Sequence, residues 1–139
     1  MPFKYEPDVM HLPECPPVEC KPCNRECYRF TFDVIEHPNN FLPVAKINPA
    51  RKFPDDTVCC SAHALSFYET KDAAIKAFSD LLNKFKQARK AVGSHVAKGT
   101  ITEDDGGVTE IDDKGHFDLF ENDGIDWVPR FEIIEGLPA

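Results

Sequence analysis

Long apolar runs are missing from this chain of 139 residues. No stretch approaches the roughly 18 consecutive apolar residues that a membrane-spanning helix requires. The N-terminal residues MPFKYEPDVMHLPE carry acids and prolines where a secretory signal peptide has its apolar core. We therefore predict a cytoplasmic protein with no membrane partner.

Several motifs that identify enzymes are also missing. The sequence contains no phosphate-binding loop, no glycine fingerprint of dinucleotide-binding folds, no Gly-x-Ser-x-Gly elbow and no HExxH pair. Aspartates precede Gly106 and Gly124, as they do in calcium loops. An EF-hand loop needs an oxygen ligand at its first position, which here is Ile101 or Leu119. Both segments are therefore predicted to be turns.

Basic residues are scarce, at 16 against 24 acidic residues, and the formal net charge is -8. Nucleic-acid binders need basic surface to displace counterions from phosphates, so no direct DNA binding is expected. The charge is uneven, because residues 71–98 hold 7 basic and 2 acidic residues, and 99–139 hold 2 basic and 12 acidic. The basic segment either attracts the acidic end of the chain or offers a docking face to an acidic partner or phosphates.

Length and composition predict a single domain over residues 1–139. The chain is 42% apolar and 29% charged, which is typical of a globular protein. Ten of the twelve prolines lie in the first 54 residues, and proline fixes φ and cannot donate to a strand ladder. Residues 1–27 are therefore predicted to be a proline- and cysteine-rich N-terminal arm packed on a core of residues 28–139.

Hydrophobic periodicity predicts an α+β fold with a mainly antiparallel sheet and one long amphipathic helix, over about 71–91. The helix has a predicted N-cap at Thr70, and its apolar face includes Phe78, Leu82 and Phe85, which we expect to pack against the sheet. Residues 41–57 contain three prolines and are predicted to be a loop. The predicted strands are 27–35, 62–68, 95–102, 116–121 and 130–135.

Several short pieces of sequence carry a resemblance to a known family. They are Phe41-Leu42-Pro43, Ala64–Tyr68 with Thr70 and Ala73, Gly93–Gly99, Asp105-Gly106 and Gly115-His116-Phe117. Together they resemble a family of short uncharacterised bacterial proteins. The resemblance implies a bacterial, cytoplasmic source. It implies no activity, and no catalytic residue is carried over from it.

The strongest local chemical signal is the set of cysteines at Cys15, Cys20, Cys23 and Cys27, spaced x4, x2 and x3. Thiols stay reduced in the cytoplasm, so a dense cluster favours a metal site over disulfides. Zinc takes four nitrogen or sulfur ligands, and these four cysteines are the candidate set. The opening spacing also matches a plant-type two-iron cluster. Disulfides and free thiols remain alternatives.

A second candidate site combines Arg29 on the first predicted strand, Ser66 on the second and Glu132 or Glu135 on the last. Small ADP-ribosyl transferases use an arginine, a serine-bearing strand and a glutamate in that order. The resemblance implies that the arginine pairs with the pyrophosphate of NAD and that the carboxylate stabilises the positive charge growing on the ribose. His116 opens a predicted strand and completes the candidate catalytic set. The alternative is that Arg29 pairs with a carboxylate and Ser66 bonds the backbone.

Three functions are consistent with these patterns. The first is a protein-binding module of a defence or toxin–antitoxin system. The second is a small transferase that uses NAD or another nucleotide. The third is an interaction module stabilised by zinc. We predict that Arg29 and Ser66 border the main pocket. A deep cleft lined by these residues and His116 would favour the enzyme, whereas a flat apolar patch would favour the binding module.

Overall fold

The computed structural model describes residues 3–138, and an antiparallel sheet of six strands runs through that range. In space the strands follow the order β4-β5-β2-β1-β3-β6. Each strand is short, and every paired neighbour runs antiparallel. The strands are β1 (Arg25–Thr31), β2 (Leu65–Tyr68), β3 (His95–Ile101), β4 (Gly106–Val108), β5 (His116–Glu121) and β6 (Phe131–Gly136).

Five α-helices and one 3₁₀ turn, at Val128–Arg130, accompany the sheet within residues 3–138. Two of the helices lie in residues 41–61, where the sequence predicts mostly loop. Among the described helices, none is long and apolar enough to cross a membrane. The helices are α1 (Glu6–Val9), α2 (Val44–Ile47), α3 (Asp56–Ser61), α4 (Lys71–Lys84) and α5 (Ala88–Val92).

One long helix is present, but the span predicted for it, about 71–91, is wrong at its C-terminal end. The helix α4 begins after Thr70, whose hydroxyl oxygen accepts a backbone N–H of the first turn at 3.0 Å, and it ends at Lys84. Phe85 then adopts an extended backbone, with φ -143° and ψ 101°. The break redirects the chain so that Ala88 of α5 packs in the core, whereas Phe85 is 45% exposed. The prediction that Phe85 packs against the sheet is therefore also wrong.

Both faces of the sheet are covered. On one face, α4 and α5 pack through Phe78 and Ala88 onto the half-buried Tyr28 and Phe30 of β1. The intervening residue, Arg29, lies on the opposite face beside the second cluster. That cluster contains Cys27, Leu65, Phe67, Ala97, Ile101, Phe117, Leu119, Trp127 and Phe131.

Residues 3–24, the described part of the chain before β1, are attached to the sheet at several points. Bridges join Phe3 to Asn122 and Lys21 to Val108. The apolar side chains of α1 and the turn after it pack in a third cluster. Its buried members are Val9, Leu12, Cys60, Ala64 and Phe120. A disulfide from Cys15 to Cys60 fastens this segment to α3.

The sheet opens between its two central strands. Tyr28 and Tyr68 form the one β1–β2 register pair within residues 3–138, whereas β1 pairs with β3 along its whole length. Beyond that pair β1 and β2 diverge. Phe30 of β1 and Ser66 of β2 both line the cleft described below.

Candidate functional site

A cleft of about 420 Å³ lies over the gap between β1 and β2. Its volume falls within the range of roughly 300–1,000 Å³ that is usual for small-molecule sites. Most of the lining is apolar, and it comes from β1, α2, α3, α5 and the loops beside them. The principal apolar lining residues are Phe30, Phe32, Leu42, Pro43, Val44, Ile47, Phe53, Val58, Ala62 and Val92.

The wall formed by residues 39–62 is held by specific hydrogen bonds. The buried Asn40 side chain accepts the backbone N–H of Phe32 at 2.7 Å and donates to the carbonyl of Val34 at 2.9 Å. The N-cap Asp55 accepts the N–H of Val58 at 2.9 Å, which fixes the start of α3. Asn40 therefore attaches the start of this wall to the segment after β1, and Asp55 fixes the helix within the wall.

Arg29 lies at the polar end of the cleft and is only 9% exposed. Its Nη1 donates to the carbonyl oxygen of Ser66 at 2.9 Å, across the gap between the strands. The guanidinium carbon is 5.3 Å from the ring centroid of Phe67 and 5.6 Å from that of Phe41. Burial lowers the pKa of Arg29 to about 10, so the side chain is still a cation at neutral pH. Among the described residues its buried Nε has no hydrogen-bond partner.

Ser66 and His116 are joined by a short contact of 2.6 Å between Oγ and Nε2. The backbone N–H of His116 donates to Asp112 at 2.9 Å, but His116 Nδ1 is 3.7 Å from the same carboxylate. Asp118 Oδ1 lies 3.5 Å from Nε2. A carboxylate beside Nε2 favours the tautomer with the proton on that atom. We therefore assign Nε2 as the donor and the Ser66 hydroxyl as its acceptor.

This arrangement differs from a catalytic serine–histidine–aspartate triad. In a triad the aspartate bonds Nδ1–H and leaves Nε2 free to remove the serine proton. Here Asp112 is beyond hydrogen-bond distance of Nδ1, and Asp118 approaches Nε2 instead. His116 thus holds Ser66 in position and is poorly arranged to activate it as a nucleophile.

Asp118 is the carboxylate of the site. It is the register partner of Ser66 across the β2–β5 pair, it lines the cleft, and its side chain is 15% exposed. Burial raises the pKa of Asp118, and the nearby His116 partly offsets that rise. Asp118 and His116 are two residues apart on one strand, so they share a face. That spacing was the available sequence signal for Asp118, which the sequence analysis missed.

The structure does not bring Glu132 to the site. β6 forms the far edge of the sheet, where exposed Glu132 is the register partner of Lys98 on β3. Glu135 pairs with Lys71 at 2.9 Å and is also outside the cleft. Of the predicted catalytic residues, the cleft therefore contains Arg29, Ser66 and His116, with Asp118 as the carboxylate.

The four cysteines proposed as metal ligands are separated. Cys15 is bonded to Cys60, whereas Cys27 is buried in the core cluster beside β2 and β5. Cys20 and Cys23 are half-buried free thiols, and burial raises the pKa of both. Across residues 3–138, no group of three or more His, Cys, Asp or Glu side chains is arranged to hold a metal ion. The disulfide removes Cys15 from the candidate zinc set.

Comparison of the chain with family models, with curated proteins and with solved structures gives no match. The resemblance to a family of short bacterial proteins therefore stays a prediction.

Proposed function

We propose that the protein is a small nucleotide-dependent transferase whose cleft binds NAD, with chemistry resembling that of ADP-ribosyl transferases. One observation carries the proposal. Arg29, Ser66 and Asp118 converge at the polar end of a cleft that is otherwise apolar. A flat apolar patch would instead have favoured a simple binding module.

The reaction we propose is substitution at the ribosyl carbon that bears nicotinamide. The carbon–nitrogen bond breaks, and nicotinamide leaves as a neutral base with the bonding electron pair. The ribosyl group then carries positive charge, as in the oxocarbenium-like transition states of glycoside hydrolysis. Water or an acceptor hydroxyl forms the new bond to that carbon and releases its proton to solvent.

Asp118 is the residue that would stabilise this positive charge. Its side chain is largely buried beside Ser66 and His116, so its charge acts through little water. Fixed charges in such sites are worth more than in bulk solvent, because no solvent has to reorganise during the reaction. The raised pKa of Asp118 requires the pH to lie above that value for the carboxylate to act.

Arg29 and Ser66 would position the nucleotide. The Arg29 guanidinium is fixed by its bond to the Ser66 carbonyl and by the rings of Phe41 and Phe67. Nη1 is engaged by Ser66 and Nε is fully buried, so a further hydrogen bond to an uncharged oxygen of the nucleotide would come from Nη2. The Ser66 hydroxyl, held by His116, offers a second hydrogen bond at the same end.

A partner-binding module is the second candidate function. Val44, Ile47 and Val58 line the cleft and are exposed, which suits an apolar segment of another protein. Such a module would bind its partner through these residues and would have no need of the buried charges at the polar end. The zinc-stabilised module receives no support from the cysteine geometry.

Replacing Arg29 by Lys is expected to weaken NAD binding about tenfold or more, because lysine keeps the charge but cannot place a second planar donor beside the one that bonds Ser66. The measurement is isothermal titration calorimetry with NAD, at a temperature where the variants are fully folded. Loss of the bond to Ser66 is also expected to cost about 1–3 kcal/mol of unfolding free energy, since Arg29 is buried.

Arg25→Lys is the matched control. Arg25 lies on the same strand, and its guanidinium is 5.4 Å from the Phe117 ring, but it does not line the cleft. This variant is expected to bind NAD as the wild type does. Equal NAD affinity for the wild type, Arg29→Lys and Arg25→Lys would show that Arg29 does not bind the nucleotide. Absence of NAD binding by the folded wild type would reject the proposed function.

A further inference from the structure

Two of the segments that line the cleft, residues 37–54 and 81–102, carry no acidic residue, although the chain holds 24 of them and Asp118 lines the cleft from β5. Residues 37–54 contain Lys46, Arg51 and Lys52, and residues 81–102 contain five further Lys and Arg residues. Both segments contribute lining residues to the cleft. Among the lining residues themselves, Arg29 and Arg51 outnumber the one carboxylate, Asp118, so the cleft favours anions although the net charge of the protein is -8.

Most of these cations are engaged elsewhere or lie outside the lining. Lys46 pairs with Asp8 at 2.8 Å, and Arg89 donates to the carbonyl of Leu137 at 3.0 Å. Arg51 is different, because it lines the cleft, is exposed, and forms no ion pair with any residue of the described range.

The position of Arg51 complements that of Arg29. Arg51 lies on the loop between α2 and α3, and its guanidinium carbon is 5.5 Å from the ring centroid of Phe53. This contact restricts the side chain of an exposed residue. Arg29, by contrast, is buried and already donates to Ser66. A phosphate group would be costly to desolvate beside Arg29 but can be bound by Arg51 while still partly hydrated.

We propose that Arg51 binds the phosphates of the nucleotide and so makes the cleft selective for nucleoside diphosphates over nucleosides. This inference rests on the proposed function and adds to it the residue that binds the phosphates of the ligand. The guanidinium fork suits two phosphate oxygens at once, and the apolar lining suits the base and ribose.

The test compares ADP and adenosine as probes, titrated calorimetrically into wild type, Arg51→Gln and Lys52→Gln. Arg51→Gln is expected to weaken ADP binding about tenfold, as loss of a charge-assisted phosphate contact implies, and to leave adenosine affinity within about twofold. Lys52 is adjacent, exposed and outside the lining, so Lys52→Gln controls for the loss of one charge. It is expected to change ADP affinity by less than about threefold.

The outcomes separate this inference from the proposed function. If the wild type binds ADP and both variants lose affinity equally, Arg51 has no specific role, but the cleft remains a nucleotide site. If Arg51→Gln weakens ADP and adenosine alike, Arg51 shapes the cleft and does not bind phosphate. If the wild type binds neither probe, the proposed function and this inference both fail. Because Arg51 is exposed, the variant is expected to unfold at the wild-type temperature, and thermal denaturation checks this.

Discussion

Asp118→Asn is expected to lower the rate of nicotinamide release from NAD by about 10²–10³-fold, with little change in NAD affinity. Asparagine has nearly the same shape as aspartate and keeps one oxygen, so the variant removes the charge and preserves the packing. The charge matters in the transition state, where the ribosyl carbon becomes positive, and much less in the bound ground state. Release of nicotinamide under saturating NAD measures the rate, and calorimetry measures the affinity.

Glu132→Gln is the matched control for that prediction. Glu132 is an exposed carboxylate at the far edge of the sheet, so its neutralisation should leave the rate unchanged. A loss of activity in this variant, or full activity in Asp118→Asn, would show that the catalytic carboxylate lies outside the cleft.

The pH dependence of the rate provides a further check on Asp118. Burial raises the pKa of this carboxyl above its usual value. The active form is the carboxylate, so the rate is expected to be constant above the raised pKa and to fall as the pH drops through it. In Asp118→Asn the residual rate should no longer fall as the pH drops through this range. A wild-type rate that rises towards acidic pH would contradict the assignment.

Removal of the Cys15–Cys60 disulfide is expected to lower the free energy of unfolding by about 4 kcal/mol, from the loop-closure entropy of a cross-link spanning 45 residues. The bond joins the segment before β1 to α3, which contributes Val58 and Ser61 to the wall of the cleft. Urea unfolding of the oxidised wild type and of the double variant Cys15→Ala/Cys60→Ala measures the difference.

Cys59→Ser is the control for the disulfide. Cys59 adjoins Cys60 on α3, is half-buried and is a free thiol, so this variant should lose less than about 1 kcal/mol. Reduction of the wild type should reproduce the double variant. Equal urea midpoints for oxidised and reduced protein would show that the bond does not stabilise the fold. The predicted cytoplasmic location would keep the bond reduced in the cell.

Local patterns in the sequence predicted several elements well. The strand predicted at 116–121 has the bounds of β5, and the strand predicted at 95–102 exceeds β3 by one residue. Alternation along each strand and turn residues at its ends fix these elements, and both are local properties. The break at Phe85 had no such signal, because helical periodicity continues through Ala88. Packing of α5 on the sheet, a property of the whole fold, decides where α4 ends.

The composition of the site depends on which strands pair in the sheet, and strands that are distant in the sequence can be neighbours there. Arg29 and Ser66 were expected together because their strands follow each other in the chain, and the structure places them 2.9 Å apart through the Nη1–carbonyl bond. Glu132 was expected near Arg29 and Ser66, but β6 joins the sheet beside β3, whereas β5 joins beside β2 and brings Asp118 to the cleft. No local pattern determines that order. The disulfide is likewise a long-range pairing, which cysteine spacing does not encode.

The most direct test of the account is an NMR titration of the wild-type protein, in which ¹H–¹⁵N spectra are recorded as NAD is added. We expect saturable shifts in the amides of Phe30, Ser66, His116 and Val58, which surround the cleft. Amides beside the second surface cavity, at Asp72 and Lys76, should not move. Unchanged spectra at saturating NAD, or shifts confined to that second cavity, would contradict the claim that this cleft is a nucleotide site.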